Sequence, residues 1–205
     1  MAEPPEPTDR DWGTARRTRA SREAHGLLLT GGVGVGKTTI AVEIGVVLGQ
    51  QSIEHAVIDL DWLSWGAASF DQDRSDHHRR LLIENLHAVW RNYMRHGVRC
   101  VVLAGSIISV EHLEGVRAAL DEMPLRVVRI RAPLELTVRR LDHRDPASKT
   151  SGSLDDLRAF EQLVTKAGLE SQVVDNTSGD LSQIALELAA KWLSDQTGRR
   201  SPASA

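Results

Sequence analysis

Residues 31 to 38 read Gly31-Gly32-Val33-Gly34-Val35-Gly36-Lys37-Thr38, with Thr39 following. The spelling is G-x-x-x-x-G-K-[ST], and each part answers a physical demand. Glycines let the backbone curl so that N–H groups surround phosphate oxygens, Lys37 brings a cation to the outer phosphates, and the Thr38 hydroxyl faces Mg²⁺. Background usage of Gly, Lys and Ser/Thr yields about one accidental match per hundred chains of this length. Context strengthens the reading. Leu27-Leu28-Leu29 precede the loop as a short buried strand, and Ile40, Ala41, Ile44, Val47 and Leu48 follow it at helical spacing before Gly49. These residues imply a nucleoside triphosphate ligand, with Gly31 to Thr39 as its cradle.

Further chemistry is sought where strands end, because ligands of open α/β sheets sit at the carboxyl ends of the strands. The second apolar run ends Val57-Ile58-Asp59-Leu60-Asp61-Trp62. If the chain stays extended there, Asp59 and Asp61 point to one side, near the outer phosphates. A carboxylate in that place orients Mg²⁺ through water or accepts the proton of a substrate hydroxyl, and Asp61 lies further towards the site. The third run, Val101-Val102-Leu103-Ala104-Gly105-Ser106, ends without an acid, which disfavours a motor-type ATPase; Ser106 is left between a substrate contact and a turn role. Arg140 and Arg144, four apart on one helix face with Arg139 beside them, offer cations to a migrating phosphate. Trp62, Trp65 and Phe70 offer aromatic walls for a substrate pocket, with core packing under the following helix as the role of at least one. Asp71, Asp73, Asp76, His77 and His78 read as a hydrated helix start and not as a metal site.

The elements that must position these groups alternate along the chain. Apolar strands are expected at 26 to 30, 55 to 60, 98 to 104, 125 to 131 and 171 to 175. Helices are expected at 37 to 49, about 76 to 96, 110 to 122, 133 to 143, 153 to 167 and 180 to 195. Such alternation argues for an α/β fold with a parallel sheet covered on both faces. Leu82, Leu86, Val89 and Tyr93 make one inward stripe, ended by Gly97, and Leu181, Ile184, Leu188 and Trp192 make another. Ser153 and Asp156 form a capping-box signal for a helix whose inner face is Leu157, Phe160 and Val164.

The 205 residues suffice for one such domain, expected at 25–197. A Pro-rich charged arm at 1–24 and a tail at 198–205 contribute little to a core, and the polar segment at about 143–152 reads as a mobile lid. Net charge is −3 with both signs interspersed, which excludes a charge-driven nucleic-acid partner. The single cysteine, Cys100, lies in an apolar run as a buried thiol, and one cysteine allows no disulfide within the chain. With neither a secretory apolar segment nor a run of membrane-spanning length, a cytoplasmic protein without membrane contact is expected.

With these pieces in order, residues 26 to 195 resemble the small P-loop kinases grouped with nucleoside monophosphate kinases, in particular adenylylsulfate, gluconate and shikimate kinases. Asp59-Leu60-Asp61 looks like the D-G-D segment of the first two, with Leu60 in place of glycine. Arg140-Leu141-Asp142-His143-Arg144 looks like the R-L-x-x-R that opens their lid, and Val174-Asp175-Asn176-Thr177-Ser178-Gly179 like their adenine-side loop. The resemblance implies a three-layer P-loop NTPase fold, a five-stranded parallel sheet in the order 2-3-1-4-5, and transfer of the ATP γ-phosphoryl group to a small acceptor. It implies that Lys37 contacts the outer phosphates, Thr38 binds Mg²⁺, Asp61 handles the acceptor or the metal, and Arg140 and Arg144 close over ATP. Asp59, Trp65 and Arg117 are the acceptor-side candidates. The competing reading is an ATP-binding regulatory module whose N-terminal arm recruits a protein partner.

Overall fold

The computed structural model describes residues 23–64, 72–144 and 154–198. Twelve elements follow one another there: β1 (His25–Thr30), α1 (Lys37–Gln50), β2 (Ala56–Asp59), α2 (Leu60–Leu63), α3 (Gln72–Arg95), β3 (Cys100–Ala104), α4 (Val110–Ala119), β4 (Leu125–Arg131), α5 (Leu134–Arg144), α6 (Leu154–Ala167), β5 (Gln172–Asp175) and α7 (Leu181–Gly198). The strands form one parallel sheet in the order β2-β3-β1-β4-β5, with helices on both faces.

The central position of β1 follows from its apolar run. Its Leu28 pairs with Leu103 of β3 on one side and Val127 of β4 on the other. Side chains alternate across a strand, so β1 feeds two cores. Leu27 and Leu29 pack with Ile40 and Ile44 of α1 and with Leu188 and Trp192 of α7. Leu28 packs on the opposite face with Leu82, Leu86 and Trp90 of α3 and with Leu113 and Val116 of α4. Both tryptophans are fully buried.

Three expectations are corrected. The inward stripe of α3 runs through Leu82, Leu86 and Trp90, one step per turn, while Tyr93 is 37% exposed. The helix expected to reach 122 stops at Ala119, because Asp121 and Glu122 both adopt φ 54°, a left-handed backbone that no α-helix continues through. The chain leaves β2 at Asp59, and Leu60–Leu63 form a short helical turn. Gly97 does end α3, with φ 91° and a Val98 N–H donated to the Tyr93 carbonyl at 3.1 Å. Among the described residues no helix is long and apolar enough to cross a membrane. The arm at 1–22, the tail at 199–205, Phe70, Asp71 and Ser153 lie outside the described residues, as does the lid segment from 145 onward. The side chains of Asp73, His143 and Arg144 lie outside them as well.

Truncation of Leu86, fully buried, to alanine is expected to cost about 2–5 kcal/mol in urea unfolding, against a much smaller loss for Tyr93→Ala. Burial pushes the Cys100 thiol up to about 12. The folded chain therefore holds the neutral thiol where the unfolded chain ionises. Stability from this group is full below pH about 9 and declines as pH rises towards 12. An aromatic disulfide reagent at pH about 8 is expected to label Cys100 only after denaturant is added.

Candidate functional site

The site is built where β1 turns into α1. Gly31, Gly34 and Gly36 take φ of 140°, 76° and 99°, values that would strain any residue with a Cβ. This backbone turns N–H groups inward, so carbonyls must face out and find donors. Three of them do. Gly31 O accepts from Ser106 Oγ at 3.1 Å, Gly32 O from Lys37 Nζ at 2.8 Å, and Val35 O from Asn176 Nδ2 at 2.8 Å. The helix α1 begins with no capping side chain and no acidic residue in its first turn, leaving its positive end to the loop.

Thr38, the second residue of α1, donates its hydroxyl to Asp59 Oδ2 at 2.7 Å. The other oxygen of that carboxylate, Oδ1, accepts the Asp61 N–H at 2.9 Å. Asp59 thus ends β2 by capping α2, which carries Asp61 off the strand line and into a helical turn. The hydroxyl of Thr38 has given its one proton to Asp59, so its lone pairs remain for a cation. Among the described residues no three His, Cys, Asp or Glu side chains gather as a metal cluster. That donor set suits Mg²⁺, which keeps several waters and takes one or two carboxylates beside phosphate oxygens.

A cavity of about 350 Å³ opens over the loop. Lys37, Thr38, Thr39 and Asp61 line it, with Arg140 and Asn176 across from them. Asn176 is fully buried. Its N–H bonds Arg131 O at 2.7 Å, and the neighbouring Arg131–Asp175 pair is bidentate, at 2.7 and 3.1 Å, which holds the Asp175 carboxyl below its ordinary range. Arg140 reaches Asn176 through Nη2 at 3.4 Å, and its Nη1 is buried with no hydrogen-bond partner among the described residues. A buried guanidinium N–H without an acceptor is costly, and an anionic or polar ligand in the cavity relieves it.

The structure therefore brings together Gly31 to Thr39, Asp59, Asp61 and Arg140. Arg117 falls in the last turn of α4, roughly 10 Å along the helix from its start at β3, and lines neither of the cavities beside the loop. Trp65 and the Arg144 side chain lie outside the described residues. Trp62, beside Asp61, is 63% exposed. Sequence reasoning missed the role of Asn176 as a strut of the loop, although it had singled out the segment around it. Ser106, left between two readings, is a second strut.

This fold, with the loop after a central first strand, recurs in solved kinase structures. The structure is similar to an APS kinase of Mycobacterium tuberculosis, with TM-score 0.54 and 20% identity over 83% of this chain and 98% of that one. It is similar to a gluconokinase of Sinorhizobium meliloti, with TM-score 0.58 and 17% identity over 87% and 99%. A shikimate kinase of Acinetobacter baumannii gives TM-score 0.53 and 19% identity over 84% and 94%. At such identities the likeness establishes the fold. No protein-family model matches the chain, and no curated protein matches it in sequence.

Asn176→Ala removes the donor to Val35 O from a buried position, and an expected loss of about 1–3 kcal/mol in unfolding free energy follows. A fluorescent ATP analogue should bind that variant roughly tenfold more weakly, since the loop loses its preset curl.

Proposed function

We propose that the chain is an ATP- and Mg²⁺-dependent phosphotransferase that moves the γ-phosphoryl group to a small hydroxyl- or phosphate-bearing metabolite. The observation that carries this reading is the Thr38–Asp59 hydrogen bond, which joins the loop's hydroxyl to the carboxyl end of β2 and sets Asp61 beside the same cavity. The kinase fold of the similar structures supports it.

Inward N–H groups of the loop and the start of α1 bind the phosphates. Lys37, held against Gly32 O at 2.8 Å, lies within reach of the outer phosphates, where its charge offsets the negative charge that spreads over the transferred group. Thr38 and Asp61 would hold Mg²⁺, which would supply charge neutralisation at the outer phosphates. Asp59 fixes the Thr38 hydroxyl. Asp61 orients the metal's water or accepts the acceptor's hydroxyl proton. Arg140, with Arg144 four residues on, closes over the nucleotide. The end of β3 carries Ala104, Gly105 and Ser106 and no carboxylate, so the water-activating acid of a motor ATPase has no counterpart there.

A coupled ADP-release assay against a panel of hydroxyl- and phosphate-bearing metabolites tests the reading. The wild-type chain should respond to at least one acceptor, and Lys37→Ala and Asp61→Asn should each lower that rate by roughly a hundredfold or more. MgATP binding without any acceptor raising ADP release above the Asp61→Asn level would sink the proposal and favour the regulatory module.

A further inference from the structure

A second cavity, of about 510 Å³, lies on the other flank of the phosphate loop, between α5 and α6. Its volume is that of a small-molecule site. Gly32, Val33 and Val35 form its floor, and Ala132, Leu134 and Leu157 give it apolar walls. It shares Val33 with the nucleotide cavity and none of Lys37, Thr38, Asp61 or Arg140.

The rim is cationic. Arg131, Arg158 and Lys166 line it against one acid, Glu161. Glu161 pairs with Arg129, only 5% exposed, at 2.7 Å, and Arg129 also serves Glu170 at 3.3 Å, so the charge of Glu161 is matched in part. Arg131 is engaged by Asp175. Arg158 pairs with Asp155, but both side chains are largely exposed, at 58% and 88%, so that pair holds it weakly. Lys166 has no ion pair among the described residues. An apolar interior below two available cations suits an apolar body carrying one negative group.

The cavity also touches the loop at the residue that Lys37 holds. Lys37 Nζ bonds Gly32 O from the nucleotide side, and a Cβ placed on Gly32 would stand 3.1 Å from Glu161 Oε2 on the other. A ligand that presses on Gly32, Val33 or Glu161 therefore acts on the loop that binds phosphate, and linkage makes that effect reciprocal.

We propose that the α5–α6 cavity binds a small amphipathic anion, an apolar body with one carboxylate- or sulfonate-type group, and that its occupancy is coupled to that of the nucleotide cavity. No acceptor and no phosphoryl transfer enter this inference, so it stands or falls separately from the kinase reading.

The test titrates the full chain with anilinonaphthalene sulfonate by fluorescence, with uncharged phenyl naphthylamine as the charge control, in the absence and presence of saturating MgATP. One saturable site is expected, with the uncharged probe weaker by roughly tenfold. Leu157→Glu should weaken the sulfonate about tenfold by placing a charge in the apolar wall, and Lys166→Glu about threefold from the rim. Both variants should hold a fluorescent ATP analogue within about twofold of the wild type. MgATP should shift the probe's Kd without displacing it. Lys166 is exposed, so its variant keeps the test valid where Leu157→Glu unfolds. Absence of saturable binding, equal binding of both probes, variants that bind the sulfonate as the wild type does, or stoichiometric displacement by MgATP would each overturn the site. An unchanged Kd with MgATP would overturn the coupling.

Discussion

The structure depends on one constraint, the orientation of the peptide groups between Gly31 and Gly36. A loop that turns its N–H groups inward must turn carbonyls outward, and an outward carbonyl at the top of a packed sheet needs a donor. Those donors come from both sides of β1. Ser106 follows β3, 75 residues from the carbonyl it bonds, and Asn176 follows β5, 141 residues from its own. Asn176 is set in turn by its N–H to Arg131 O at the end of β4. The strand order thus does more than bury β1. It delivers one strut from each neighbouring side, and Lys37 supplies the third from within the loop.

The second constraint is at the end of β2, where two carboxylates two residues apart have different surroundings. Asp59 uses one oxygen on the Thr38 hydroxyl and the other on the Asp61 N–H. Both oxygens of Asp59 are thus held by the fold, each with one lone pair left over. Asp61 is the carboxylate that lines the cavity itself. A single capping interaction therefore separates an acid tied to the loop's hydroxyl from an acid that lines the cavity, within a segment that alternation alone would have treated as two equivalent groups.

What could be read from the chain beforehand follows from the range of the forces involved. The phosphate loop is contiguous, and its glycines sit at positions that need positive φ, so it was legible in full. The five strands were legible because continuous apolar runs mark buried parallel strands. The struts were not, since hydrogen bonds across 75 and 141 residues leave no local pattern. Nor was the turn at Leu60, which depends on the Asp59 side chain folding back on the backbone, or the stop after Ala119, which depends on left-handed residues that are not glycine. Arg117 falls in the last turn of α4 and lines neither of the two cavities beside the loop, a placement that position in the sequence does not reveal.

The two faces of the sheet and the helices beside the loop are held by different physics. α1 buries six residues along its length, from Lys37 to Leu48, and packs with α7 around Trp192. α6 buries only Val164. Its attachment to β4 runs instead through Arg129, which reaches Glu161 at 2.7 Å, Thr165 Oγ1 at 2.8 Å and, just past the helix, Glu170 at 3.3 Å. Directional polar contacts of that kind give position without much burial, and the segments of a fold that shift at low cost are those with few buried apolar contacts. The helix that faces the loop from the α5–α6 cavity is therefore lightly committed to the core, as is α5, whose one buried residue among those described is Thr137, while the loop's own carbonyls are tied to β3 and β5.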